Sequence, residues 1–465
     1  MRRFEGNTAT VEKRYVGAAL ALCGVQYVDV LGVTVVVTAL PRMLTDLGAS
    51  SGDGTMIVTA YAMFFGGLLM VASRIGDRVG HRRLVLAALV LFVAASAMGA
   101  VAPSASLLTA ARALQGVAAA ASVPSALRLL TTVVPEGPAR RRAVAWWSAA
   151  GAAAGASGFV VGGVLTELVT WRAVFWMNIA LAALLAGSVL TAVPRDPPNG
   201  VTARIGLPSA LLLTGAAMGV VAGTTLLGEA HSRRLAAAVT AAGIVAAVAF
   251  VLVERGAAHP LVPPAARRVP ALNWGVFGSF FNTATTSSSV TVATLYLQGE
   301  LGLSPLRAAG LLITFSILVV VGSLVAPRLL PAIGARRSLG CGLGVIAVGN
   351  GVLVAWPDVV GIAVASGLCG LGIGIGSVAA TAMGTDVDEA ITGTAAGMIN
   401  TAAQLGTAVG TAFILLISAS LDARAAWVAA GVIALVAGAG AAARESVSDR
   451  RSAVVAGARE SVSDR

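Results

Sequence analysis

A run of about twenty apolar residues can satisfy its backbone inside a bilayer only by coiling into a helix. Such runs fill this sequence. Six lie near residues 15–41, 55–72, 84–101, 105–134, 143–166 and 173–193, and two near 205–228 and 235–254. Six more lie near 271–298, 308–332, 338–356, 358–385, 392–420 and 425–442. About fourteen transmembrane spans are expected. A soluble domain carries roughly a quarter charged residues, whereas here 11% are charged and 57% hydrophobic. The expected fold is an all-α membrane protein, whose 55 glycines let helices approach closely in lipid.

Charge placement gives the orientation. The net charge of +11 could point to nucleic acid, but the arginines sit in short loops, so no nucleic-acid partner is expected. The N-terminus, the even-numbered loops and the C-terminus hold 24 Lys and Arg against 6 in the odd-numbered loops. Both termini are therefore expected in the cytoplasm of a multi-pass protein. Met1–Arg14 is polar and the first apolar run is too long for a cleavable signal. Cys23, Cys341 and Cys369 are odd in number and fall in apolar runs, so neither a disulfide framework nor a metal site is implied. The three histidines, His81, His231 and His259, are expected in loops and form no site, and no enzyme is indicated.

The densest polar stretch is Ser73–Arg83, read as a tight turn between the second and third spans. Gly76 and Gly80 would let it bend, Asp77 is its one acid, and Arg74, Arg78, Arg82 and Arg83 are its cations. By composition it reads equally well as an ordinary positive-inside loop or as a functional signature. A degraded copy, Pro327–Arg337 without the Asp, follows the second span of the last six. The chain is thus expected to hold two six-helix bundles in parallel repeat, with two inserted helices between them. The expected units are a polar segment 1–14, bundles at 15–200 and 269–442, the inserted pair with its linkers at 201–268, and a polar tail at 443–465 expected to be disordered.

Arg-Ile-Gly-Asp-Arg-x-Gly-x-Arg-Arg in Arg74–Arg83 resembles the signature between the second and third helices of the major facilitator superfamily of secondary transporters. Arg112-x-x-Gln115-Gly116 in the fourth span is similar to a second signature of that superfamily. The glycines Gly151, Gly155, Gly158, Gly162 and Gly163 of the fifth resemble its exporter motif, although Phe159 stands where that motif has proline. Trp171-Arg172-x-x-Phe175-x-x-Asn178, Tyr296-Leu297-Gln298, Leu301–Gly310 and Gly393–Gly406 match its fourteen-span drug:proton antiporter family. Asp29–Pro41 resembles the family's opening segment with a shift: the family acid falls where Gly32 stands, and Asp29 lies one turn deeper.

Several expectations follow from the resemblance. The protein would be a proton-coupled exporter of amphipathic or lipophilic small molecules, a drug or antibiotic efflux antiporter. It would reside in the plasma membrane as a monomer and use the proton gradient in place of any cofactor. The proton and substrate cavity would hold Asp29, Arg112, Gln115, Asn282, Asn400 and Gln404. Asp29 lies ~18 Å from Pro41 along a helix, and a mid-bilayer charge costs at least ~2.5 kcal/mol, so the acid is expected to work rather than merely pack. Arg74, Gly76, Asp77, Arg78, Gly80, Arg82, Arg83 and Arg128 would form an inner gate. There Asp77 would pair with Arg128 and face the N-terminus of the thirteenth span, beside Asp386, Asp388 and Glu389. Gly155, Gly158, Gly162 and Gly163 would be hinge glycines. A uniporter or nutrient symporter, and a non-transporting membrane sensor or scaffold, stand as alternatives.

Overall fold

The computed structural model describes residues 2–195, 206–227, 233–257, 260–385, 387–388 and 391–443. Among these, every regular element is a helix. The first six are α1 (Arg2–Leu47), α2 (Ser51–Val79), α3 (His81–Ala100), α4 (Ala105–Val133), α5 (Pro138–Leu168) and α6 (Arg172–Ala192). Next come the pair α7 (Leu207–Leu227) and α8 (Arg233–Gly256), and the single turn α9 (Pro264–Arg267). The last six are α10 (Pro270–Gly299), α11 (Pro305–Ile333), α12 (Ala335–Ala355), α13 (Val359–Thr385), α14 (Thr392–Ser420) and α15 (Ala423–Ala443). Thirteen of them are long and apolar enough to cross a membrane. The remaining long helix, α10, misses that apolarity because it carries Asn282, Thr283, Thr285, Thr286 and Ser287–Ser289.

Helix boundaries follow local chemistry. Ser50 and Asp53 form a capping box at α2, with Ser50 Oγ accepting from the Asp53 amide at 3.1 Å and Asp53 Oδ2 from the Ser50 amide at 2.9 Å. This satisfies two otherwise orphaned amides. The stretch expected as a turn over Ser73–Arg83 is almost wholly helical. Residues up to Val79 finish α2, His81–Arg83 begin α3, and only Gly80 breaks the coil, at φ 96°. A β-carbon resists that φ, so a single glycine can turn the chain where a longer loop was expected. Gly334 does the same between α11 and α12 at φ 83°. The two halves of the repeat turn on one residue each.

Packing repeats as well. In the first half α1 lies on α5, α2 on α4, and α3 on α4 and α6. In the second, α10 lies on α14, α11 on α13, and α12 on α13 and α15. The two bundles meet along two seams, α2 against α14 and α5 against α11. The α7–α8 pair stands beside the first of these, with α7 packed on both α2 and α14. One end of the assembly carries the α2–α3 junction; the other is the far end. At the far end Gln298 Nε2 donates to the Thr38 carbonyl at 3.0 Å, and the Leu306 amide donates to Glu167 Oε2 at 2.8 Å. Val37 and Phe159 join Leu297, Leu312, Leu415 and Trp427 in one apolar cluster, so the bundles are closed there. Tail residues 444–465, His231 and His259 fall outside the described residues, as do Asp386 and Glu389.

Candidate transport site

α1 and α5 come together because α5 has no side chains in the way. A β-carbon at Gly158 would run into Thr34, and one at Gly162 into Thr38 and the Val35 carbonyl. The closeness lets Thr34 Oγ1 donate to the Ala154 carbonyl at 3.5 Å and Thr38 Oγ1 to the Phe159 carbonyl at 3.4 Å. The other two expected hinge glycines do different things. Gly163 meets Ala309 and the Pro305 carbonyl across the α5–α11 seam, and Gly155 has open space where a β-carbon would sit. Phe159 fills that seam, edge-on to Phe315 at 6.0 Å between ring centres. The second half repeats the arrangement with glycines that sequence reading had not paired with these. Gly406 and Gly410 of α14 seat Phe280, Thr283 and Ala284 of α10, and Thr283 Oγ1 donates to the Ala403 carbonyl at 2.7 Å.

The polar centre of the first bundle joins α1, α2, α3 and α4. Asp29 is 5% exposed, and its Oδ2 accepts from Ser122 Oγ at 2.6 Å. The same hydroxyl lies 3.3 Å from the Ala119 carbonyl. Tyr61 donates its hydroxyl to the Asp29 carbonyl at 2.9 Å, and its ring lies under the Arg112 guanidinium, 4.7 Å from ring centre to Cζ. Gly116 makes this possible: a β-carbon there would strike the Tyr61 backbone, so α4 can lie against α2 only with glycine.

Arg112 is 1% exposed and is solvated entirely by protein. Nη1 donates to the Gly32 carbonyl and to Gln115 Oε1, both at 2.8 Å, and Nε donates to the Ile57 carbonyl at 3.4 Å. Gln115 Nε2 then donates to Ser96 Oγ at 2.9 Å. Among the described residues no carboxylate forms an ion pair with Arg112. Carbonyl dipoles and an aromatic face compensate the buried cation instead. Where the family places an acid, this chain offers the bare carbonyl of Gly32. Asp29, Arg112 and Gln115 are thus brought into one network, and Ser122, Tyr61 and Ser96 belong to it too. Ser122 is legible from sequence, ten residues beyond Arg112 on the helix face that also carries Gln115. Tyr61 carried no such signal.

The second-half residues do not join this network. Asn282 is fully buried and turned into its own bundle, donating to the Ile373 carbonyl at 3.2 Å and to Ser377 Oγ at 3.1 Å. The hydroxyls of Ser288, Ser289, Thr291 and Thr294 bond to carbonyls four residues back. Asn400 is exposed and Gln404 half-buried, the latter with its Cβ against Gly66 at the α2–α14 seam.

The expected inner-gate residues divide between supporting and exposed. Arg74 donates to the Pro260 carbonyl, and Arg82 to the Leu190 carbonyl at 2.8 Å. Arg78, Arg83 and Arg128 are exposed. The expected Asp77–Arg128 pair is replaced by another. Asp77 Oδ1 lies 3.1 Å from His81 Nε2, because the single-residue break at Gly80 leaves these two one turn apart. His81 is accordingly a buried helical residue and not a loop residue. It packs on Gly76, where a β-carbon would meet its ring. Among the described residues no group of His, Cys, Asp or Glu could hold a metal ion.

Comparison with known proteins gives a consistent picture. The profile of the Major Facilitator Superfamily matches residues 22–279 and 275–461. The cephamycin export protein of Amycolatopsis lactamdurans is 34% identical, over 87% of this chain and 85% of its own. The puromycin resistance protein of Streptomyces alboniger is 35% identical, over 90% of this chain and 84% of its own. In fold, the chain is similar to a peptide transporter crystallised with sulfate, at a TM-score of 0.71 and 15% identity, covering 92% of this chain and 94% of that one.

Proposed function

The chain belongs to the Major Facilitator Superfamily, and on that premise we propose that it exports amphipathic or lipophilic antibiotic-like molecules in exchange for protons. It is a multi-pass membrane transporter with no enzymatic role. The names of the cephamycin export and puromycin resistance relatives support the export of drugs. In this reading the chain works as a monomer in the plasma membrane, with both termini cytoplasmic, and the closed far end faces outward.

The observation that carries the proton step is the Asp29–Ser122 pair, buried in the middle of the first bundle. A hydroxyl has one hydrogen and can accept. With Asp29 ionised, Ser122 donates to the carboxylate. With Asp29 protonated, the acid donates to Ser122 Oγ, whose own hydrogen turns to the Ala119 carbonyl 3.3 Å away. Both protonation states are therefore hydrogen-bonded without moving a helix. Tyr61 ties the site to Arg112 and so to α2 and α4, which gives the proton state a mechanical connection to the packing of the bundle. Rocking of the two bundles about the central cavity would expose the site alternately to each side.

The test is a panel of toxic lipophilic compounds, puromycin included, on cells with and without the protein and with and without a protonophore. Raised resistance that the protonophore abolishes is the expected result. Resistance indifferent to the protonophore would overturn proton coupling, and resistance to none of the panel would overturn drug export.

A further inference from the structure

The bundles are related as α1–α6 to α10–α15, so their two seams should be equivalent, yet α7 stands against only one of them. What holds it there is uneven. Towards α2 the contacts are specific. A β-carbon at Gly67 would run into Thr214 of α7, so the two helices touch at that point. Glu254, near the end of α8, is 4% exposed and uses both carboxylate oxygens, accepting from the Leu261 and Val262 amides at 2.9 Å each. This folds the chain at Leu261 and Val262 back on α8, and Leu261 packs with Val71 of α2 and Ala210 of α7. The same fold presents the Pro260 carbonyl to Arg74, in the last turns of α2. Towards α14 the contact is apolar: Ala217 and Val221 of α7 lie with Ala408 and Ala412, flanked by Leu405 and Val409, in a cluster that Ala60, Ala62 and Met63 of α2 also join. Charge-assisted hydrogen bonds and an interlocked glycine fix one arrangement, whereas small apolar faces have low barriers to sliding.

We propose that Glu254 and Arg74 clasp the inserted pair to the first bundle, so that α7 and α8 travel with α2 while α14 slides along α7 during transport. Glu254 is a positioning residue: it shapes the strap that Arg74 and the Val71–Ala210 pocket hold. One arginine of the basic signature thereby acts within its own half of the molecule, anchoring the insertion. The proposal rests on the transporter reading for the existence of the motion, but not on which compound is carried.

Spin-label distances in lipid nanodiscs test it without a substrate. Val90 on α3, Leu211 on α7 and Val436 on α15 are all exposed and serve as label sites. In protein lacking its three cysteines, the Val90–Leu211 pair should give one narrow distance at acidic and alkaline pH alike. The Leu211–Val436 distance should shift by ~5 Å or more, about one helical turn. The reverse pattern would show that the pair rides with the second bundle, and two fixed or two shifting distances would equally overturn the proposal. Glu254→Ala should broaden the Val90–Leu211 distribution at least twofold, and Glu254→Gln, which keeps one acceptor, should broaden it less. Should Glu254→Ala fail to reach the membrane, the Gln variant decides: an unbroadened distribution would refute the clasp. Loss of puromycin efflux with these distances intact would instead count against the drug-export reading.

Discussion

Replacing Asp29 by Asn should uncouple transport while leaving the protein folded. The amide occupies nearly the same volume and can donate to Ser122 Oγ, and the freed hydroxyl hydrogen has the Ala119 carbonyl 3.3 Å away. Both polar groups stay paired, so the cost should not exceed ~1 kcal/mol, the value of one exchanged hydrogen bond. The loss of coupling should be complete. Among the described residues Asp29 is the only acid deep within a membrane-spanning segment of either bundle. Glu254 is also buried, but it lies near the end of α8, outside both bundles, with its oxygens already taken. One carboxyl implies one proton per cycle, and one pH unit then supplies ~1.4 kcal/mol, or about tenfold accumulation of a neutral substrate. Proteoliposomes with the membrane potential clamped at zero and an imposed pH gradient measure this directly. The native protein should approach that tenfold ratio per pH unit and Asp29→Asn should remain at unity. Accumulation by the Asn variant, or roughly hundredfold accumulation by the native protein, would refute the single-carboxyl argument. A rescue sharpens the test. A β-carbon at Gly32 would lie 3.6 Å from the Phe92 ring, an ordinary contact, and the Gly32 carbonyl already holds Arg112. Gly32→Asp on the Asp29→Asn background should therefore be accommodated beside a cation and recover part of the accumulation.

Three further outcomes follow from the packing. Gly116→Ala should destabilise by ~1–3 kcal/mol through overpacking against the Tyr61 backbone, seen as a lower melting temperature in detergent; unchanged melting would mean α2 and α4 stand further apart. Phe159→Ala removes an edge contact worth ~0.5–1.5 kcal/mol from the far-end closure, so a cysteine at Leu312 should label faster with an impermeant reagent, and an unchanged rate would contradict that closure. Asp77→Asn loses a half-exposed pair with His81 worth at most ~1 kcal/mol, so melting should hold while transport slows if Asp77 serves the opposite gate state; unaltered efflux would remove it from the gate.

Much of the architecture was legible because bilayer length and charge asymmetry are one-dimensional signals. The spans read at 392–420 and 105–134 agree with α14 and α4 to within a residue. The limits appeared wherever a property depends on what lies opposite. The basic stretch reads as a loop because arginines and glycines dominate it, yet a helix can carry exposed arginines, and only Gly80 needs a conformation other residues resist. On the hydroxyl-rich α10, Ser288, Thr291 and Thr294 bond to carbonyls of their own helix, and Ser289 also reaches Asn350 Oδ1 of α12 at 2.6 Å. Asn282 likewise serves the packing of α10 on α13.

The glycines carry the same lesson further. Those of α5 stand in a recognisable pattern, and two of the four named do seat α1. Gly406 and Gly410 perform the matching service for α10, although nothing in their own neighbourhood marks them as the counterparts. Their pairing becomes visible only once α14 is seen to occupy the place of α5 in the second bundle. Gly66 and Gly67 are adjacent in sequence but serve different partners, Gly66 admitting α14 and Gly67 admitting α7. Adjacent positions on a helix lie about 100° apart, so a glycine pair can face two neighbours at once. That arrangement puts the junction of both bundles and the inserted pair at a single turn of α2. A change at either glycine should therefore disturb a different interface, though the two residues are joined by one peptide bond.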